Sequence, residues 1–142
     1  MPTKSWLYGS INGKLNDRLN RLQFRIHNTL INRLRKEPMQ QIFIDKFTVP
    51  TNSWTEFFNR MNINRDFIKK LPGFVRDNVY KRNDDNGNFI CITVAVWENE
   101  EAINNAKESV QIEYKRTGFN PAEMFARLNI SIERGTYNEV DN

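Results

Sequence analysis

Residues 89–106, FICITVAVWENEEAINNA, constrain the fold more than any other part of the chain. A run of β-branched and apolar residues ends on Trp97 and passes within about two residues into an acid-led helical pattern. The run reads as a central strand. Asn99 reads as a helix cap, because its side chain can accept from a free backbone N–H. Glu100 and Glu101 suit the positive end of the helix dipole. A strand that feeds a helix through so short a seam belongs to a layered fold. It also sets a large aromatic ring at the strand's end, where such layers commonly leave room for a ligand.

The pattern on either side completes the layers. Residues 41–49 (QIFIDKFTV) are β-rich and stop at Pro50, which predicts a first strand. Ser53-Trp54-Thr55-Glu56 has the form of a capping box, with Ser53 accepting at the helix start and Glu56 reaching back. The helix is expected to run to about Leu71, where Pro72-Gly73 ends it. Trp54, Phe57, Phe58, Met61, Ile68 and Leu71 mark its buried stripe. Residues 74–82 predict a second strand, and NDDNGN at 83–88 a tight turn in which Asn86-Gly87 can take positive φ. Residues 89–97 then return antiparallel as the third strand. The helix from Asn99 is expected to end near Arg116, before Gly118, and Asn120-Pro121 to open a short helical turn. Leu128, Ile130 and Ile132 alternate with polar residues, which predicts a fourth strand starting at Leu128.

The order is βαββαβ over about 100 residues, the split-βαβ or ferredoxin-like α+β arrangement: a four-stranded antiparallel sheet with two helices on one face. The third strand is apolar on both faces. Ile90, Ile92, Val94 and Val96 occupy one, and Phe89, Cys91, Ala95 and Trp97 the other. Both faces therefore need cover. The helices take one, and the other is covered most simply by a second copy of the sheet or by the N-terminal helix, of which the second copy closes both cores with one interface. A homodimer through sheet-to-sheet packing is expected.

Residues 1–38 are different in kind. They carry a net charge of +6, whereas residues 39–142 carry −2, so the basic balance belongs to an extension and not to the domain. Residues 1–13 show no periodicity and read as a poorly ordered tail. From Asn12 to Lys36, Leu15, Leu19, Leu22, Ile26, Leu30 and Leu34 recur at helical spacing among arginines, and Pro38 blocks continuation. Docking on the protein or its partner subunit is the expected role. Contact of residues 14–36 with an anionic membrane, a targeting role and a segment largely unstructured alone are the weaker readings. Met39, directly after Pro38, is a candidate natural start.

Composition excludes several classes. The sequence has no apolar run near the roughly 18 residues that a membrane span needs. A single cysteine, Cys91, and a single histidine, His27, leave out the usual zinc sets and an internal disulfide. Cys91 reads as an inert strand thiol and His27 as a solvated or packing residue, and a reducing cytoplasm fits both. Nucleic acid is not an expected partner, because the basic residues are confined to the extension. There is no phosphate-binding glycine loop and no nucleophile elbow.

From about Gln40 to Glu139 the chain resembles the antibiotic biosynthesis monooxygenase domains of the dimeric α+β barrel superfamily. The resemblance rests on FIDKFTVP, NRDFIKKLPGFV, TVAVWENEEA and GFNPAEMFARLNI. It implies a homodimer with a pocket in each subunit between sheet and helices. It also implies oxygenation of quinol-like or polycyclic aromatic substrates without a cofactor, and Trp97 as the pocket-facing tryptophan at the end of the third strand. Haem-degrading members use a histidine on the second helix. Here that helix reads NNAKESVQIEYKR and has none, so neither haem nor a metal is expected.

Asn64 and Arg65 fall within the inward stripe of the first domain helix by their spacing from Met61 and Ile68. A polar side chain on an inward face needs a partner or a cavity. Asn64 either bonds nearby backbone or lines a pocket opposite Trp97. Arg65 either pairs with an acid or lines the same pocket, where it would stabilise a phenolate or enolate. Trp97, Asn64 and Arg65 are the substrate-pocket candidates. No residue stands out as a general base. Tyr80 and Tyr114 are available, but Tyr114 follows Val110 at helical spacing and is expected to pack. A non-catalytic module that binds a small hydrophobic ligand, or only dimerises, is the alternative.

Overall fold

In a computed structural model, the structure describes residues 3–36 and 39–141. The chain divides into two compact units, residues 1–37 and 38–142. The first holds one helix, α1 (Thr3–Lys36). It starts well before the expected point at Asn12: once the amphipathic segment nucleates, each further residue adds a hydrogen bond at little cost. Leu15, Leu19, Leu22, Ile26 and Leu30 are all exposed. The expected stop at Pro38 lies outside the described residues. Among the described residues no helix is long and apolar enough to cross a membrane.

The second unit has the order β1 (Gln41–Pro50), a 3-10 turn (Thr51–Ser53), α2 (Trp54–Ile68), β2 (Phe74–Asn83), β3 (Asn88–Trp97), α3 (Glu100–Thr117), α4 (Pro121–Leu128) and β4 (Ser131–Tyr137). The strands form one sheet in the order β2-β3-β1-β4, and every pairing is antiparallel. This is the ferredoxin-like sheet that the element order predicts. Its register sets Trp97 beside Gln41, Ala95 beside Phe43, Thr93 beside Asp45 and Cys91 beside Phe47. Those residues face α2, α3 and α4, where Phe47, Val49, Phe57, Met61, Cys91 and Met124 form the main core. Trp97, Ala102, Ile103 and Ala106 form a second cluster. The opposite face pairs Ile42 with Val96, Ile44 with Val94, Lys46 with Ile92 and Thr48 with Ile90.

The seam after β3 is tightly held. The Asn99 side chain accepts from the Ala102 N–H at 2.8 Å, and Gly118 closes α3 at φ 71°. The Glu98 N–H donates to the Gly73 carbonyl at 2.8 Å. Gly73 has φ 82°, and a Cβ there would lie 2.3 Å from Ala102 Cβ. Only glycine lets the turn before β2 approach the first turn of α3 this closely.

Several local expectations are corrected. Ser53 does not cap α2: it already has helical backbone angles within the 3-10 turn, so its hydroxyl donates instead to the Leu128 carbonyl at 3.0 Å. Glu56 pairs with Arg127 and does not reach back. The α2 helix ends at Ile68 and not near Leu71, because the chain must turn before Pro72, where the helical conformation is disfavoured. Phe58 is exposed at the edge of the stripe and stacks on Trp54 with centroids 5.5 Å apart. The fourth strand starts at Ser131. Leu128 is the last residue of α4, Asn129 reverses the chain at φ 60°, and the Ile130 N–H bonds the Phe125 carbonyl at 2.9 Å. The alternation thus spans a helix end and a strand start, where apolar residues meet the core from both elements.

Candidate functional site

Between the sheet and the helices of the second unit lies a cavity of about 310 Å³. That is at the small end of ligand pockets, which run to roughly 300–1,000 Å³. The sheet supplies Phe43, Asp45, Phe47 and Trp97, and α2 supplies Phe57, Arg60, Met61, Asn64 and Arg65. The α3 helix adds Ile103, Ala106, Lys107, Val110 and Tyr114, which recur at three- and four-residue spacing on one helical face.

Trp97, Asn64 and Arg65 all line this cavity. Trp97 is almost fully buried and meets Phe74 edge-on at 5.6 Å. It therefore belongs both to the core and to the cavity wall. Asn64 is half-buried, and no hydrogen bond among the described residues occupies its amide. Arg65 has a partner: its Nε donates to Asp77 Oδ2 at 2.5 Å and its Nη1 to Asn62 Oδ1 at 3.2 Å. Lys69 also approaches Asp77, at 3.8 Å. The charge of Arg65 is thus largely answered by the protein.

The cavity's other polar residues stood out less in the sequence. Arg60 lies one turn before Asn64, its guanidinium carbon 3.5 Å from the Phe119 ring centroid and 5.8 Å from that of Tyr114. Its Nε is buried and has no hydrogen-bond partner. Asp45, 7% exposed, accepts from Arg134 at 2.7 and 2.9 Å. Arg134 and Lys107 both reach over the Phe43 ring, at 5.0 and 5.3 Å. Tyr114 meets Phe119 edge-on at 5.2 Å, which is the expected packing, yet it also lines the cavity. Burial pushes its phenol above the ordinary value and Asp45 adds to the rise, while Arg60 and Arg134 pull it down. Tyr114 is therefore a neutral donor at neutral pH and not a ready base. Its signal was present in the sequence: the Ile103, Ala106, Val110, Tyr114 stripe points one way. Arg60 stands at the spacing that picked out Asn64. The Asp45–Arg134 pair joins residues 89 positions apart and has no local signature.

No protein-family model and no curated protein matches the sequence. Solved structures do. A candidate monooxygenase from Shewanella loihica PV-4 matches with a TM-score of 0.55 at 18% identity, over 73% of this chain and 97% of that one. SnoaB, a cofactor-independent oxygenase from Streptomyces nogalater, matches with a TM-score of 0.50 at 25% identity, over 73% of this chain and 96% of its own. The second unit shares its fold with these two proteins. A dimeric ferredoxin-like protein from an uncultured marine organism shares the fold, with a TM-score of 0.50 at 10% identity, over 75% of this chain and 99% of its own. In this chain the cavity occupies the helix side of the sheet.

Proposed function

We propose that this chain is a cofactor-independent monooxygenase of quinol-like or polycyclic aromatic substrates, acting as a homodimer. The observation that carries the reading is the cavity itself. It is walled by Trp97, Phe43, Phe47 and Phe57, and the Asn64 amide is free among the described residues. The likeness in fold to SnoaB supports the reaction class.

The chemistry asks little of the protein. In an anthrone, the phenol-activated methylene loses a proton, and the resulting anion passes one electron to dioxygen. The organic radical and superoxide combine through a new C–O bond. The peroxide O–O bond then breaks, the second proton leaves the carbon, and one carbonyl and one water result for each O2 consumed. The substrate supplies all the electrons. The protein holds the ring system, favours the anion and excludes bulk water. Trp97 supplies an aromatic wall. Asn64, which lines the cavity, orients the phenol oxygen in this reading. Arg65, held by Asp77, contributes field more than a direct bond.

Oxygen uptake with hydroxyanthrones tests the reading. The expected result is catalysed uptake of one O2 per substrate, falling about ten-fold or more in Trp97→Ala and Asn64→Ala, the loss of one or two well-placed contacts. No uptake above the spontaneous rate in the wild type, or full activity in Trp97→Ala, overturns it. In that case the non-catalytic ligand-binding module remains.

A further inference from the structure

We propose that the cavity selects aromatic ligands that carry a carboxylate in addition to the phenol oxygen, and that Arg60 with Lys107 binds that carboxylate. The proposal rests on the cavity being a ligand site, as in the reading above, and adds the chemical class of what it takes.

The charge on the cavity walls is unequal. Four cations line it: Arg60, Arg65, Lys107 and Arg134. Two are answered by acids, Arg65 by Asp77 and Arg134 by Asp45. The third lining acid, Glu113, is close enough to Arg60 for that cation to lower its pKa, but it is held bidentately by Arg116. Arg60 and Lys107 make no ion pair among the described residues. Both instead lie over aromatic rings, Arg60 on Phe119 and Lys107 on Phe43.

Arg60 is the more demanding of the two. Its Nε is shut off from solvent with no acceptor, and a guanidinium in that state is costly unless an anion completes it. Stacking on Phe119 holds the planar fork in place, which suits two-point binding of a carboxylate. Asn64 lies four residues further along α2, one turn on the same face. A ligand with its phenol oxygen at Asn64 therefore extends its ring system past Met61 toward Arg60, and an acid on the far ring meets the free guanidinium. An uncharged polycycle would leave the buried Arg60 Nε without an acceptor.

The test compares 6-hydroxy-2-naphthoate with 2-naphthol, by calorimetric titration of the full chain. Wild type is expected to bind the acid about ten-fold or more tightly than the neutral compound, the scale of one charge-assisted pair. Arg60→Gln should remove most of that preference, read as the ratio of the two affinities within the variant. Arg60→Lys should keep part of it, and Lys107→Gln should reduce it about three-fold through the lost charge. Should Arg60→Gln fail to fold, as read by circular dichroism, Arg60→Lys and Lys107→Gln decide. Binding of 2-naphthol with no preference for the acid, or a preference unchanged in these variants, overturns the proposal and leaves the cavity reading standing. Binding of neither compound overturns both.

Discussion

At the residue scale, burial decides what the chain's lone thiol can do. Cys91 is fully buried on β3, with its sulfur 3.9 Å from that of Met61. Burial pushes the thiol from 9.0 up to about 11, because the thiolate would lose its hydration. A pKa raised by folding stabilises the native state fully below the unfolded value, and that contribution is lost as pH rises through the folded one. Stability should therefore hold up to about pH 9 and fall by about 2 kcal/mol toward pH 11 from this group alone. Urea midpoints of wild type and Cys91→Ala, compared across that range, isolate the effect, since tyrosines and lysines titrate alike in both. The pH slope should be shallower in Cys91→Ala, and an identical slope would refute the assignment. The inert thiol was legible in the sequence from its place in an apolar run. The state of Arg65 was not: its partner Asp77 lies on another element, and only the folded register sets them 2.5 Å apart.

At the scale of elements, the seam between β3 and α3 depends on a residue outside it. The Gly73 turn and the first turn of α3 are in direct contact, with no space for a methyl group at position 73. Gly73→Ala adds a positive-φ cost of about 1 kcal/mol to an overlap costing about 1–3 kcal/mol. The expected loss is thus about 2–4 kcal/mol in chemical denaturation. Adding Ala102→Gly should recover the overlap but not the backbone strain, so a double-mutant cycle should show coupling of about 1 kcal/mol or more. Additive single effects would mean that the two turns do not meet as described. The strands and helices themselves followed from periodicity and caps, as Asn99 and Asn120 illustrate: both accept from the N–H groups that capping predicts. The misplaced boundaries have separate causes: the helical backbone of Ser53, Pro72 after α2 and the reversal at Asn129. Ser53 and Leu128, each with a good local reading, are also joined by a tertiary hydrogen bond. A capping box and an alternation are local patterns, and neither contains the position of the other helix.

At the scale of the whole molecule, the sheet's second face becomes the decisive surface. The helices of the second unit take the side of Phe47, Cys91 and Trp97. The other side presents Ile44, Ile92 and Val94 in adjacent register, flanked on the same face by the exposed Tyr80 and Tyr137. A short apolar strip edged by exposed aromatics and by Lys46, opposite Ile92, has the composition of an interface core and its polar rim. Stable dimers bury about 1,200–2,000 Å² in total. Val94→Asp places a charge at the centre of that strip, and like charges from the two copies would meet there, at a cost of several kcal/mol. Light scattering should therefore find a dimer in the wild type and a monomer in Val94→Asp at micromolar concentration. The candidate cavity lies on the opposite face of the sheet, so the monomeric variant should still bind 2-naphthol. A monomeric wild type, or a dimer indifferent to Val94→Asp, would remove the sheet face as the interface. Loss of naphthol binding together with the dimer would instead show that the cavity depends on the second copy for its shape.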